Sequence, residues 1–415
     1  MTDMWWGASI HASDGASLEE QVELAARLGV GTVRLGIDWP RLQPEGHGEL
    51  TGEVVAQYRS VLRHARTVGM RTVLGWSGAL PAALAQAGGW GNRQTPDAFA
   101  AVAGELAAAL GSDVDLWVTL ERPWERVFRR HDRAGSGEAG AVFAAAHHLS
   151  LGHGLASQAI RSVLGPEVAI AVDLDLHVVH ACDPESAGDL EAVGRVVGLG
   201  NHLFLGPLLE GSYPMGLLSQ TREFTDWNFI RPGDLVAIRQ RIDALVVSYG
   251  AVHTVASAPG ARPGTPWSAL HDVEFLAPPP PHTASGQPIA PAALGELVGA
   301  LDNTNPGLPL VVRIESAVFT DELNSEGRVH DAARVSYLHD HITELVAARE
   351  AGVSVAGLLV PLTGRAGIVH ESAGGRSMAK DSGRWYAALT AAGGEVPDAA
   401  MAWTLPDLPA SGPVG

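Results

Sequence analysis

Two short segments decide which fold this chain can adopt: Thr119-Leu120-Glu121-Arg122-Pro123 and Leu310-Val311-Val312-Arg313-Ile314-Glu315-Ser316. Each is an apolar run rich in strand-forming residues that ends in a carboxylate, and they lie about half a chain apart. An eight-stranded βα barrel collects the side chains of its chemistry at the carboxyl ends of its strands. We therefore expect Glu121 and Glu315 to meet at the mouth of such a barrel.

Short β-rich runs alternate with longer segments of helical period along the chain, which predicts βα units around a parallel sheet. The predicted strands are 5–10, 32–39, 71–77, 115–122, 168–179, 244–250, 308–316 and 355–362, and predicted helices include 18–28, 54–68, 96–110, 140–164, 291–302 and 332–351. Eight strands with helices between them are the count of a closed barrel. The predicted fold is α/β, a single (β/α)8 TIM barrel.

Domain organisation follows from the spacing of these elements. The barrel is predicted to occupy residues 1–390, with a long excursion at 260–290 between the sixth and seventh strands. The Gly/Pro/Ala-rich stretch 391–415 lacks a periodic pattern and is predicted to be a mobile tail. We find neither a sequence repeat nor a linker that would divide the chain.

Composition restricts the partners and the compartment. The formal net charge of −18 over 415 residues argues against nucleic acid or an anionic membrane surface. A single cysteine, Cys182, argues against a disulfide framework. The first ten residues do not resemble a secretory signal, and no uncharged apolar run reaches the ~18 residues of a membrane span. We predict a cytoplasmic protein with a small-molecule ligand and without nucleic-acid or membrane partners, and the oligomeric state stays open.

Two glutamates delivered by different strands are the usual equipment for cleaving a glycosidic bond. A retaining enzyme needs one protonated and one ionised carboxyl group about 5–5.5 Å apart. Arg122, next to Glu121, would favour the ionised carboxylate, and a guanidinium is itself a poor proton donor. Ion pairing of the two glutamates with Arg34, Arg122 or Arg313 is therefore the alternative. The arginines could also hold a carboxylate, phosphate or sulfate.

Further segments extend the pattern from the second strand to the end of the barrel. They are Val33-Arg34-Leu35-Gly36-Ile37-Asp38-Trp39-Pro40-Arg41, Gly88-Gly89-Trp90-Gly91-Asn92-Arg93, Ala146-His147-His148, Glu326-Gly327-Arg328-Val329-His330-Asp331 and Lys380-Asp381-Ser382-Gly383-Arg384-Trp385-Tyr386. In this order they resemble glycoside hydrolase family 1, the β-glucosidase and β-galactosidase family. The resemblance covers nearly the whole chain and implies a TIM-barrel glycosidase with its pocket at the carboxyl ends of the strands.

The two segments that carry the family's catalytic residues depart from its pattern. The family's fourth strand ends Thr-(Leu/Phe)-Asn-Glu-Pro, with Glu as acid/base, whereas this chain has Glu121 at the Asn position and Arg122 at the Glu position. Its seventh strand ends (Ile/Val)-Thr-Glu-Asn-Gly, with Glu as nucleophile. An ungapped alignment places Arg313, Ile314 and Glu315 at Thr, Glu and Asn. A one-residue insertion would instead make Glu315 the nucleophile, and the two alignments point different side chains into the barrel.

The family's sugar-binding positions are also changed. Its His-Trp-Asp after the third strand becomes Ser77-Gly78-Ala79, and its Asn-Tyr-Tyr at the sixth strand becomes Ser248-Tyr249-Gly250. Arg34 matches the family's arginine next to the nucleophile. Trp124 follows the altered fourth-strand motif, where an indole could stack on a sugar or pack within the barrel. The candidate substrate-binding residues are Arg34, Ser77, Tyr249, Arg313 and Trp124.

Three hypotheses follow for function, with Glu121, Glu315 and Arg122 as candidate catalytic residues. The first is a divergent family member with a rebuilt pocket for a glycosylated or acidic small molecule and weak or absent retaining β-glucoside hydrolysis. The second is a working β-glycosidase that uses Glu315 and Glu121, and the third is a non-catalytic scaffold or partner-binding barrel. No metal site is predicted, because the spacing of His147, His148 and His153 is not that of a helical zinc pair. No cofactor is predicted, and Gly-rich phosphate loops are missing from the sequence.

Overall fold

Eight parallel strands form a closed barrel, which confirms the predicted fold. The structure, a computed structural model, describes residues 4–11, 17–76, 80–129, 140–264, 266–315, 317–325, 327–371 and 377–405. The barrel strands are β1 (Trp5–Ile10), β2 (Thr32–Ile37), β3 (Arg71–Trp76), β4 (Leu116–Glu121), β5 (Ile170–Leu174), β6 (Ala244–Tyr249), β7 (Leu310–Ile314) and β8 (Val355–Pro361). Each pairs with its neighbours in the chain, and β8 pairs with β1.

Helices surround the barrel between successive strands. The longer ones are α1 (Leu18–Arg27), α2 (Gly52–Thr67), α3 (Thr95–Leu110), α4 (Ala141–Leu164), α5 (Ala187–Val197), α6 (Pro291–Thr304), α7 (Ala332–Glu350) and α8 (Asp381–Ala391). Shorter helical turns lie at Trp39–Leu42, Ala82–Gln86, Gly89–Gly91, Gly111–Asp113, Glu125–Arg129, Gly198–His202, Leu203–Leu205, Gly206–Glu210, Met215–Gln220, Asp234–Ile238 and Ala399–Trp403.

The strands bury apolar side chains on both faces, which is why they read as nearly continuous apolar runs. One buried cluster fills the lower barrel and includes Val73, Val118, Val246, Val311 and Leu359. The larger cluster joins the outer face of the strands to the helices. Because strand side chains alternate between the faces, the polar positions that remain in the barrel interior lie at the carboxyl ends of the strands.

A second, three-stranded sheet extends the barrel beyond β5 and β6. It is formed by His177–Ala181, Ala251–Ser257 and Val273–Leu276, the last of them within the predicted excursion. The prediction of one strand over 168–179 is wrong. The chain leaves the barrel at Asp175, whose carboxylate accepts hydrogen bonds from the backbone of Trp124 and Glu125. A hairpin of Val369–Glu371 and Ser377–Ala379 follows β8.

Two further segments lie outside the barrel strands, the helix 187–210 and the segment after α8. The continuous helix Ala187–Glu210 is long and apolar enough by composition to cross a membrane, but 61% of its apolar window is buried inside the fold, as in core helices of soluble proteins. After α8, the turn Ala399–Trp403 buries Ala402 completely. Residues 406–415 lie outside the described part, so the mobile tail stays a prediction.

Candidate active site at the barrel mouth

Four strands deliver charged side chains into the barrel at its mouth. Arg34 comes from β2, Glu121 ends β4, Asp173 lies in β5 and Arg313 lies in β7. All four residues are at most 6% exposed. Parallel strands of a barrel bring their carboxyl ends to one face, so residues far apart in sequence meet there.

The inner part of this site is a chain of alternating charges. Arg34 Nη2 lies 2.5 Å from Glu121 Oε2, and Arg313 Nη1 lies 2.9 Å from Glu121 Oε1. The same nitrogen of Arg313 lies 2.6 Å from Asp173 Oδ2, and Ser248 Oγ donates to Asp173 Oδ1 at 2.7 Å. Buried charges persist in a fold only when they are paired. The inner arginines and carboxylates therefore hold one another in place.

The outer part of the site continues the same alternation toward solvent. Glu315 lies between two guanidinium groups: Arg122 Nη1 is 2.6 Å from its Oε2, and Arg313 Nη2 contacts its Oε1. Arg122 also pairs with Glu125, three residues further along the chain. These four residues and the inner cluster are one network, which we call the mouth cluster: Arg34, Glu121, Arg122, Glu125, Asp173, Arg313 and Glu315.

Arg122 adopts an unusual backbone conformation that turns the chain at the end of β4. Its φ of 43° lies in the left-handed region, which costs a residue with a side chain roughly 1–2 kcal/mol. The backbone N–H of Arg122 donates to the carbonyl of Asp173 at 2.8 Å. Strained residues of this kind concentrate at functional sites, where the surrounding structure holds them.

Glu315 rather than Ile314 faces the mouth. Arg313 reaches Glu121 and Asp173 across the barrel interior, and Glu315 contacts the same guanidinium. Alternation along the strand then places Ile314, which is completely buried, on the opposite face. β7 pairs residue by residue with β6 from Leu310 to Ile314, so its alternation is unbroken, and the register shift against β8 adds a residue to β8 only.

Neither glutamate is a proton donor at neutral pH in this arrangement. Burial raises the pKa of Glu121, but Arg34 and Arg313 outweigh burial and hold that pKa at about 2. Burial also raises the pKa of Glu315, and Arg313 and Arg122 bring it below its ordinary value. The guanidinium of Arg313 lies between the two carboxylates, bonded to both. Both are therefore ionised where a retaining pair would keep one protonated.

Two aspartates of the site were not found from the sequence. Burial raises the pKa of Asp173, Arg313 opposes that rise, and the like charge of Glu121 adds to it. Burial raises the pKa of Asp175 to about 7, with Arg122 opposing. Asp173 interrupts an otherwise apolar buried strand, and a carboxylate in that position needs a charged partner. The position of Asp173 within this apolar strand was therefore the feature of the sequence that could have identified it as a site residue.

Of the remaining predicted residues, Tyr249 and Trp124 make contacts outside the mouth cluster. Tyr249 is buried, and its hydroxyl donates to the backbone carbonyl of Ala290 at 2.6 Å. The buried ring of Trp124 packs 4.6 Å from Trp267 and 4.4 Å from His177, between ring centroids. Ser77 lies outside the described residues. The substrate-binding roles of these three residues stay predictions.

A small cavity adjoins Glu121 on the side of α3. It holds about 20 Å³, room for about one water molecule and too little for a sugar ring. Aromatic rings dominate its lining, which includes Trp39, Trp76, Trp90 and Phe99. In the described part of the chain, no group of three or more His, Cys, Asp or Glu side chains is placed to hold a metal ion.

Comparison with known proteins gives relatives along nearly the full length. The family profile described as Glycosyl hydrolase family 1 matches residues 8–394. A bifunctional β-D-glucosidase/β-D-fucosidase of Bifidobacterium breve is 34% identical over 361 residues, covering 82% of this chain and 76% of the relative. β-Glucosidase A of Thermotoga maritima is 28% identical over 388 residues, covering 89% of this chain and 84% of the relative.

Solved structures give the same result. A psychrophilic β-glucosidase from Micrococcus antarcticus superposes with a TM-score of 0.87 at 28% identity, covering 94% of this chain and 97% of that one. A family 1 β-glucosidase from Thermotoga maritima in complex with isofagomine lactam superposes with a TM-score of 0.85 at 25% identity, covering 95% and 98%. On the closed barrel, the matched profile and these relatives, the chain belongs to glycosyl hydrolase family 1.

Proposed function

We propose that this protein is a divergent family 1 barrel that binds a glycoside or sugar-like molecule at its mouth, with weak or absent retaining hydrolysis of ordinary β-glucosides. The observation that carries the proposal is the mouth cluster, in which arginines hold both candidate carboxylates ionised. The ligand class is supported by relatives named as β-glucosidases and by one relative's complexes with isofagomine lactam and deoxynojirimycin.

Neither Glu121 nor Glu315 serves as a proton donor for hydrolysis in this arrangement. General acid catalysis contributes typically 10²–10⁴-fold, and it needs a group that is protonated near the working pH. Glu121, with a pKa of about 2, is deprotonated there, and Arg122 keeps its proton. Glu315, the candidate nucleophile, has each carboxylate oxygen bonded to a guanidinium. Attack on a sugar would require breaking at least one of these ion pairs.

The charge balance of the mouth favours a neutral ligand. Arg34 pairs with Glu121, Arg122 pairs with Glu315, and Arg313 pairs with Glu121, Asp173 and Glu315. Because each guanidinium already has a carboxylate, little positive potential is left to attract an acidic ligand. A thermal-shift panel of glucose, a glucose phosphate and glucuronate tests this choice. We expect glucose to raise the melting temperature at least as much as either anion does. A larger rise with an anion would show that the mouth prefers an acidic ligand.

A working β-glycosidase is the second candidate, and one observation favours it. Glu315, and not the aligned Ile314, faces the mouth. If substrate binding released Glu315 from Arg122, its carboxylate could attack the anomeric carbon and form a glycosyl-enzyme intermediate. A good leaving group would then need no general acid, so activated substrates would be turned over and ordinary glycosides would not.

The test compares two substrates that differ in leaving group, cellobiose and dinitrophenyl β-glucoside. Wild type, Glu315→Gln and the surface control Asp340→Asn are assayed, because Asp340 is half exposed and remote from the mouth in α7. We expect no detectable turnover of cellobiose and at most slow release of dinitrophenol. Robust turnover of both substrates, abolished only by Glu315→Gln, would establish the second candidate. Failure of every sugar to bind would leave the scaffold hypothesis.

A further inference from the structure

A large cleft lies apart from the barrel mouth, on the outer side of α5. It encloses about 830 Å³ between α5 with its continuation to His202, the segment 214–223, the loop 260–262 and the pair 271–272. No residue of the mouth cluster lines it. Small-molecule sites in proteins commonly have volumes of roughly 300–1,000 Å³. The size of the cleft is therefore that of a ligand site.

Polar contacts join the walls of the cleft. Arg195 of α5 lies 2.7 Å from Glu191 and 3.1 Å from Asp272, and it donates to the carbonyl of His271 at 2.9 Å. The side-chain amide of Gln220 donates to the carbonyl of Arg195 at 3.0 Å. These bonds tie three segments that are distant in sequence. The cleft is thus a preformed gap, and a ligand would not have to order its walls.

The floor of the cleft is bare helix backbone. Gly194 and Gly198 lie four residues apart and so share one face of the helix. A Cβ at Gly194 would meet nothing within 4 Å, whereas one at Gly198 would meet the amide of Gln220 at 3.2 Å. A side chain at position 194 would therefore project into the cleft. The glycine leaves that space open to a ligand.

Arginine side chains reach the cleft from three of its four walls. Arg195 comes from α5, Arg222 from the segment after Met215–Gln220, and Arg262 from the 260–262 loop. Arg195 is neutralised by its two carboxylates, and Arg262 lies 3.2 Å from Glu223. Arg222 makes neither an ion pair nor a hydrogen bond with any residue that the structure describes. Its guanidinium is the part of the lining that is open to an anion, and His202 lines the same cleft.

We propose that this cleft is a second ligand site, which takes a small molecule carrying a phosphate or carboxylate group. Arg222 binds the anionic group, and the rest of the molecule lies along the open helix face at Gly194. Among the described lining residues none is Trp, Tyr or Phe, so the stacking surface that sugar sites commonly use is missing. The site is independent of the proposed function at the barrel mouth.

Isothermal titration with pyrophosphate, citrate and glucose tests the site in the full chain. The variants are Gly194→Leu, which fills the floor, Arg222→Gln, which removes the free cation, and Arg66→Gln, a matched arginine at the end of α2 that pairs with Asp115. We expect at least one anion to bind, Gly194→Leu to abolish that binding, Arg222→Gln to weaken it about ten-fold and Arg66→Gln to leave it unchanged.

Pyrophosphate and citrate distinguish a phosphate ligand from a carboxylate ligand. Binding of pyrophosphate alone assigns a phosphate ligand, and binding of citrate alone assigns a carboxylate ligand. Melting temperatures of the variants show whether each is folded, and Gly194→Leu should melt no lower than wild type because leucine favours helix more than glycine does. Absence of binding by both anions, or binding that Gly194→Leu and Arg222→Gln leave unchanged, would overturn the proposal. Glucose binding reports on the barrel mouth separately.

Discussion

This barrel contains two networks of charged side chains, both built from ion pairs. They differ in how far their residues match the sequence pattern of the family. One is the mouth cluster, and the other lies beside β8, where α7 and α8 begin. We call the second the frame cluster, and it comprises Asp321, Asp331, Arg334, Lys380, Asp381 and Arg384. In both, nearly every guanidinium or ammonium lies within contact distance of a carboxylate. Asp331, Lys380, Asp381 and Arg384 of the frame cluster fall in segments that match the family pattern, whereas Glu121, Arg122, Arg313 and Glu315 of the mouth cluster fall where the pattern is broken.

The frame cluster combines charges with neutral partners. Asp331 accepts the backbone N–H of Ser382 at 2.9 Å and its hydroxyl at 2.6 Å, and it also contacts Arg334. Lys380 lies 2.6 Å from Asp321 and donates to the carbonyl of Gly367 at 2.6 Å. These bonds join the start of α7, the start of α8 and the loop after β8. The cluster therefore fixes the backbone of the barrel's last quarter.

The mouth cluster, by contrast, is built almost entirely of charges that contact other charges. Each residue that departs from the family pattern has a partner of opposite sign: Arg122 has Glu315 and Glu125, and Arg313 has Asp173 and Glu121. A single new arginine in this buried space would have been costly without its carboxylates. The departures from the family pattern at the mouth are therefore coupled, and an arginine there must be replaced together with the carboxylates that pair with it.

The largest effect is expected from breaking the frame cluster with Asp331→Ala. The change removes the acceptor of two Ser382 hydrogen bonds and one of the two carboxylates that pair with the buried Arg334, so unfolding should become easier by about 4 kcal/mol. Urea unfolding followed by circular dichroism measures it, with half-exposed Asp340→Asn as the control. A loss near that of the control would show that the frame cluster does not support the fold.

Breaking the mouth cluster with Arg313→Met should cost less, about 3 kcal/mol at neutral pH, because the stranded carboxylates can take up protons. In wild type, the pKa of Glu121 is about 2, so its contribution is complete above the unfolded value of about 4.3 and is lost as pH falls toward 2. Without Arg313, the pKa values of Glu121 and Asp173 rise.

The pH dependence of that loss is the sharper measurement. A carboxyl group whose folded pKa lies above its unfolded pKa stabilises the fold at low pH and loses that contribution as pH rises through the folded value. The difference between wild type and Arg313→Met should therefore grow from acidic to neutral pH. Adding Asp173→Asn should recover part of it. A difference that stays constant with pH would mean that the carboxylates do not depend on Arg313.

The barrel itself could be predicted because its signal is repeated eight times. Seven of the eight predicted strands match observed strands to within two residues at each end, since apolar runs and helical periods are local properties. The exception, 168–179, failed because the break at Asp175 depends on hydrogen bonds from the turn after β4. That contact joins residues about 50 positions apart, and no local pattern records it.

The site could be predicted only as a set of residues. The meeting of Arg34, Glu121, Arg122, Arg313 and Glu315 followed from strand ends sharing one face of a barrel. Which of Ile314 and Glu315 faces inward could not be decided, because a shift of one residue exchanges the two faces of a strand, and only the contacts of Arg313 across the barrel fix it. The partners of the arginines were likewise open until Asp173 was placed beside Arg313.

The smallest effect is expected at Tyr249, on the outer face of β6, where its ring lies 5.4 Å from that of His341 in α7. Its hydroxyl donates to the carbonyl of Ala290, so Tyr249→Phe should lower the free energy of unfolding by about 1 kcal/mol, the usual worth of one hydrogen bond. If that bond to the backbone is its main role, glucose should stabilise Tyr249→Phe by the same shift in melting temperature as wild type. Tyr249→Phe with unchanged stability but lost glucose binding would instead make the hydroxyl a ligand contact. The mouth would then extend beyond its ion cluster, because Tyr249 would join the side chains that recognise the sugar.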